Sequence, residues 1–147
     1  MVWTRETGGR HHRGVDEHGV REWFGAYLSD FVALGRGDTD DVRRLLLHYG
    51  VPFIVSTDAG TTALTDEAQV LAMARQQVDG MRAAGYDRTE ELDEETVVLN
   101  GSCAGHRARF ARLRADGSEI SRLEVTYLIT DRPEGRRISA LVVHSPA

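Results

Sequence analysis

The chain has 147 residues, 41% hydrophobic and 28% charged, which is enough for one globular domain with a buried core and too little for two. Its net charge of -5 opposes a sequence-independent grip on nucleic acid or anionic lipid, because both need a positive field, and the expected partner is a neutral or small ligand. A single cysteine, Cys103, excludes an internal disulfide, and no charged start followed by an apolar run marks a signal peptide or membrane span, so the cytoplasm is the expected compartment.

Residues 1–14 carry Gly8, Gly9, His11, His12 and several arginines without any apolar period and read as a disordered tail ahead of one domain over residues 15–147. The paired histidines lack a third ligand at a metal-binding spacing. Cys103 has nothing beside it in sequence that would activate it and reads as a plain buried thiol.

From Asp16 onward Val20, Trp23, Tyr27, Phe31 and Leu34 recur at helical spacing, with Phe24 and Leu28 broadening the stripe and Gly35 and Gly37 supplying a stop. Asp38 opens a short second helix with Val42, Leu45 and Leu46 on one side. The period then changes: Val51 to Thr57, with Phe53 among its apolar residues, reads as a strand, Asp58 to Gly60 as a turn, and Thr61 to Leu64 as a short return. Thr65, Asp66 and Glu67 begin a third helix whose buried stripe is Leu71, Ala74, Val78 and Met81, ended by Gly85. All that follows reads as strand, so the fold class is α+β, a bent antiparallel sheet wrapped around three N-terminal helices.

Asn100-Gly101 is the strongest hairpin signal. With no bulge it sets Leu99 opposite Ser102, Glu95 opposite His106 and Asp93 opposite Ala108. Asp116-Gly117 is a second such turn and sets Phe110 opposite Leu123, Ala108 opposite Val125, His106 opposite Tyr127 and Ala104 opposite Ile129. Both turns place Ala104, Ala108, Phe110, Leu123, Val125 and Ile129 on an inner face. Arg107, Arg109, Arg122 and Glu124 fall outside, so the arginine run from Arg107 to Arg114 reads as a salt-bridged outer face rather than a nucleic-acid stripe. In the last strand Ile138, Ala140, Val142 and His144 share one side, and small inward residues at Ala104, Ala108 and Ala140 leave room for a pocket.

The stretch Trp23 to Phe31, the break GRGDTDDV from Gly35 to Val42, the run HYGVPFIVSTDAG from His48 to Gly60, and the closing VTYLITD and ISALVVHSP together resemble the nuclear transport factor 2-like, or SnoaL-like, superfamily, and within it an uncharacterised SnoaL-like branch. The resemblance implies a cone-shaped, cystatin-like fold with a cavity at its open end, and homodimers formed through the outer face of the sheet. Members range from isomerases and cyclases to non-catalytic subunits, so the likeness leaves function open. Ketosteroid isomerase relatives use an aspartate base beside a tyrosine and a protonated carboxylic acid. Here those positions fall near Thr57, Asp30 and Thr126, and none keeps the expected residue type. The epoxide-hydrolysing relatives need an inward Asp-Arg-Asp set, and the registers produce none.

The registers instead align Glu95, His106 and Tyr127 across three inner strands as a candidate catalytic row: a carboxylate to orient an imidazole, the imidazole as base or acid, and a phenol for a developing oxyanion. Trp23, Tyr27, Asp30, Phe31, Phe53, Ala104, Phe110, Ala140 and His144 complete the expected pocket. Neither a cofactor nor a metal is called for. The expected ligand is a small apolar or ring-shaped molecule, handled by proton transfer of the isomerase or cyclase type. The alternatives are simple binding of an apolar metabolite and an interaction subunit that assembles through its sheet.

Overall fold

The computed structural model describes residues 14–146, so His11, His12 and all of the proposed tail except Gly14 lie outside the described residues. The first helix, α1, spans Glu17–Arg36; it begins where the Asp16 carboxylate accepts the Gly19 backbone N–H at 2.7 Å. It ends where Gly37 takes φ 85°, a left-handed conformation that lets the Asp38 N–H reach the Ala33 carbonyl at 2.9 Å. Between those caps Val20, Phe24, Tyr27, Phe31 and Leu34 are buried, as their spacing predicts. The short second helix is a 3-10 helix, Val42–Leu47. Strands β1 (Tyr49–Thr57) and β2 (Gly60–Leu64) form a hairpin, and α2 (Glu67–Ala83) starts at Asp66, whose carboxylate accepts the Gln69 N–H at 2.8 Å.

The remaining strands are β3 (Tyr86–Asn100), β4 (Cys103–Arg114), β5 (Glu119–Arg132) and β6 (Gly135–Val143). They complete a six-stranded curved sheet in the order β2-β1-β6-β5-β4-β3, whose inner face packs on the helices. The α+β class stands, but the sheet is mixed: β6 returns beside β1 in the same direction, and that pair alone is parallel. No helix among the described residues is long and apolar enough to cross a membrane.

The β4–β5 register matches the turn reading residue for residue from Ala104↔Ile129 to Phe110↔Leu123, and an irregularity beyond Arg112 absorbs the longer turn. The β3–β4 register does not. The Asn100 side-chain oxygen accepts the Ser102 N–H at 2.9 Å, so Asn100 pairs with Cys103 and the loop moves one residue on, to Gly101 and Ser102. Gly101 is not among the glycines with positive φ, so the mirror-image turn expected of Asn-Gly does not form. Moving the loop by one residue shifts the pairing by two, and the irregularity between Val98 and Asn100 takes one back; the net slip of one residue exchanges the two faces, and Glu95 lies opposite Arg107 while Thr96 lies opposite His106. A bulge between Glu91 and Asp93 then restores the expected register, with Glu91 opposite Phe110 and Thr89 opposite Arg112.

In β6 an extra residue falls between Ile138 and Ala140, the partners of Ile129 and Leu128. Ser139 occupies the irregularity, and its hydroxyl accepts Arg132 Nη2–H at 2.9 Å. Ile138 stays inside, but after it the inner positions are Leu141 and Val143. Ala140, Val142 and His144 turn to the outer face.

α1 packs tightly against α2 and β3 at Gly35, where an added Cβ would stand 2.6 Å from Met81 Cε and 2.9 Å from the Tyr86 ring. Gly35→Val is expected to destabilise the fold by about 1–3 kcal/mol through overpacking of α1 against α2 and β3. Urea unfolding with an unchanged m-value checks this, and unaltered stability would mean that the helices separate freely there.

Candidate functional site

The predicted row does not assemble. Glu95 projects from the outer face, where with Asp93 and Glu124 it surrounds the Arg107 guanidinium at 3.0 to 3.4 Å. His106 is on the inner face but fully buried. Its Nδ1 and Thr96 Oγ1 are hydrogen-bonded at 2.8 Å, and its Nε2 lies 3.9 Å from Glu94 Oε2 with no hydrogen-bond partner among the described residues. The Phe24 ring covers the imidazole at a centroid distance of 4.2 Å. Burial lowers the His106 pKa and Arg21 lowers it further, against an opposing pull from Glu94. The imidazole is therefore covered and favoured in its neutral form, and it does not line the cavity.

The cavity lies farther along the inner face, between α1, α2 and strands β3 to β6, and has a volume of about 250 Å³. Of the residues expected to line a pocket, Tyr27, Phe31, Phe110 and Tyr127 do. Trp23 instead borders a surface depression with Arg132 and Arg136. Asp30 is held by Arg44 at 3.0 Å and by His48 at 2.8 Å. Phe53 is core, its ring 4.9 Å from that of Tyr49, and Ala104 is sealed beneath the helices. Ala140 and His144 are outside, carried there by the β6 irregularity, and His144 Nε2 is hydrogen-bonded to the Thr126 hydroxyl at 2.6 Å.

Tyr27 and Tyr127 line this cavity, and Tyr49 joins them through Tyr27. The Tyr27 and Tyr49 hydroxyls are 2.7 Å apart, and the Tyr27 and Tyr127 rings are 6.0 Å apart edge to face. Burial raises all three phenols, Tyr27 and Tyr127 well above the usual range; Tyr49 adds to the effect on Tyr27, and Tyr27 to the effect on Tyr127. They remain protonated at physiological pH. The cluster therefore supplies hydroxyls for hydrogen bonding, and its phenols stay neutral rather than acting as phenolate bases.

Three polar residues that the sequence reading passed over also face the cavity, Thr89 on β3 together with Arg112 and Gln77. Arg112 falls on the inner face because β4 alternates from Phe110, and its guanidinium sits 5.7 Å from the centre of the Phe31 ring. Gln77 reaches in from α2, one residue from the buried Val78, and its side-chain oxygen is buried without a partner among the described residues. The outer-face reading of the arginine run holds for Arg107 and Arg109. It fails for Arg112, which the period-two pattern from Ala104 through Phe110 already placed inside.

Residues 16–146 match the family model described as NTF2-like protein (DUF6841). The structure resembles a cystatin-like domain of unknown function from Nostoc punctiforme, with a TM-score of 0.64, 18% identity, and coverage of 90% of this chain and 78% of the other. An NTF2-like protein from Novosphingobium aromaticivorans gives a TM-score of 0.65 at 16% identity, covering 87% and 80% of the two chains. An NTF2-like protein of unknown function from Shewanella oneidensis gives 0.63 at 13% identity, covering 86% and 99%. No curated protein matches the chain.

A histidine buried in its neutral form makes stability depend on pH. The folded pKa of His106 lies below its ordinary value of 6.5, so below that pH the unfolded chain takes up a proton that the folded chain resists. Stability is expected to fall as pH drops through 6.5 toward the lower folded value. His106→Gln should flatten that slope in denaturant titrations at successive pH values, and an unchanged slope would show that the imidazole protonates in place.

Proposed function

This chain belongs to the NTF2-like family, and on that premise we propose that it binds a small, largely apolar molecule in the cavity between α1, α2 and the inner sheet, with no proton transfer at His106. The supporting observation is the cavity itself, which is walled by Phe31, Phe110 and aliphatic side chains, with the buried Tyr27 and Tyr127 also lining it. A volume of about 250 Å³ suits a molecule of one or two rings rather than a nucleotide or a flavin. The apolar walls supply affinity through burial, and the few polar groups orient the guest.

Indole serves as a neutral probe of that shape. It is expected to bind the wild-type protein in calorimetry, and Val125→Trp, which fills the cavity, should abolish binding. His106→Gln should leave it unchanged. Binding that persists in the filled variant, or that disappears only with His106, would sink this reading and return the imidazole to the site.

A second function is favoured by a separate observation on the outer face. Ile54, Ala140, Leu128, Gly105 and Val97 lie in one continuous cross-strand row, and Ile54 and Val97 are exposed. Such a row is suited to a second copy of this chain packed sheet to sheet, with the ion pairs around Arg107 at its margin. Sedimentation at micromolar concentration is expected to give a dimer for the wild type and a folded monomer for Leu128→Glu. A wild-type monomer would remove the assembly reading without touching the cavity.

A further inference from the structure

Arg112 is the one charged residue that lines the cavity among the described residues, and it has neither a carboxylate nor a hydrogen-bond partner there. Its situation differs from that of Arg107 and Arg114 on the same strand, and from that of Arg109, which also lacks an ion pair among the described residues but is exposed on the outer face. Arg107 is held by three carboxylates, and Arg114 donates to the Ala84 carbonyl at 2.9 Å. Acidic groups are plentiful on the chain, yet none lies within ion-pair distance of this guanidinium among the described residues. Its charge reaches the cavity: it lowers the pKa of Tyr27, Tyr49 and Tyr127 against the larger effect of burial.

Gln77 stands beside it. The two residues line both the cavity and a second depression of about 190 Å³ that runs between α2 and Ile120 and Ser121 of β5. They therefore occupy the wall between the apolar interior and the outside. A guest lodged with its apolar body against Phe31, Phe110 and Val125 would bring its polar end to this wall. There it would meet a cation with five N–H donors and an amide oxygen that lacks a donor among the described residues.

We propose that the ligand of this cavity is a compact carboxylic acid with an apolar, ring-sized body, whose carboxylate pairs with the Arg112 guanidinium and whose adjacent hydroxyl or N–H donates to the Gln77 side-chain oxygen. The assignment rests on the cavity reading above and adds the chemical class of the guest. A carboxylate suits the site because a planar guanidinium donates to both of its oxygens at once. The ring of Phe31 beneath the guanidinium limits the directions from which a carboxylate can approach. A neutral apolar guest would leave the cation without a counter-ion at the edge of a desolvated space, which costs free energy that the carboxylate recovers.

The test compares 3-hydroxybenzoate, its uncharged carboxamide 3-hydroxybenzamide, benzoate and indole by calorimetry at low and high salt. Wild-type protein is expected to prefer 3-hydroxybenzoate over the carboxamide by at least about tenfold, the share of one charge-assisted pair. Arg112→Met, which keeps the side-chain bulk, should erase that preference while indole still binds. Gln77→Leu should erase the smaller preference for 3-hydroxybenzoate over benzoate and leave the charge preference in place. Equal binding of acid and carboxamide by the wild type, or a preference that survives Arg112→Met, overturns the carboxylate assignment and leaves the cavity reading standing. If none of the four probes binds, both readings fall. Retained indole binding and an unchanged thermal midpoint in Arg112→Met identify a folded variant; if it does not fold, the salt dependence of the acid-to-carboxamide ratio in the wild type decides, because only an ionic contact weakens as salt rises.

Discussion

Phe24 packs within a centroid distance of 4.2 Å of His106, 4.8 Å of Tyr127 and 5.5 Å of Tyr27, and its ring is stacked over Phe110 at 6.5 Å. It projects from the middle of α1 onto the centre of the concave sheet, and that one contact divides the inner face in two. On one side the space is filled, and His106 is closed off with Thr96 as its hydrogen-bond partner. On the other side Tyr27 and Phe31 line a space that stays open toward Arg112. The chemistry available to the protein follows from which polar groups fell on which side.

The distribution is set by strand irregularities. A side chain changes face whenever a strand gains or loses one residue relative to its neighbour, so each bulge carries more consequence for a site than any single residue type. The slip next to Asn100 moves Glu95 out and brings Thr96 and Glu94 in, so that His106 hydrogen-bonds a hydroxyl and has Glu94 Oε2 3.9 Å from its Nε2. The extra residue at Ser139 moves Ala140 and His144 out and puts Leu141 and Val143 on the cavity wall. The second change makes the cavity wall more apolar. The polar groups at the cavity are the tyrosine cluster, the Thr89 hydroxyl, the Gln77 amide and the Arg112 guanidinium.

The same irregularities organise the exterior. With Glu95 outside, Arg107 is ringed by carboxylates from β3 and β5, an exposed cluster whose value to stability is small but which fixes the neighbouring strands against one another. Beside it the row from Ile54 to Val97 stays uncharged because Gly105 and Ala140 stand where longer side chains would otherwise interrupt it. One face of the sheet is thus shaped for a small molecule and the other for a broad, flat contact.

From the amino-acid sequence alone, the elements, their order, the α+β class and the β4–β5 pairing are all legible, because each rests on local chemistry. Helical spacing names the α1 stripe, Asp16 and Gly37 mark its ends, and Asp116-Gly117 sets a register that its neighbours agree with. The inward position of Arg112 was legible too, by alternation from Phe110, but reading the arginines as one run hid it. Three features were decided only by the tertiary structure: the slip at Asn100, the irregularity at Ser139, and the covering of His106 by Phe24. The first depends on a choice between two turns that the same Asn-Gly pair can adopt, made where the Gly101 carbonyl accepts the Val15 N–H at 3.2 Å. The second depends on β6 meeting β1 and β5 at once, a demand that no local pattern encodes. The third depends on where a helix comes to rest across a sheet, which side-chain volumes settle together and no single segment contains.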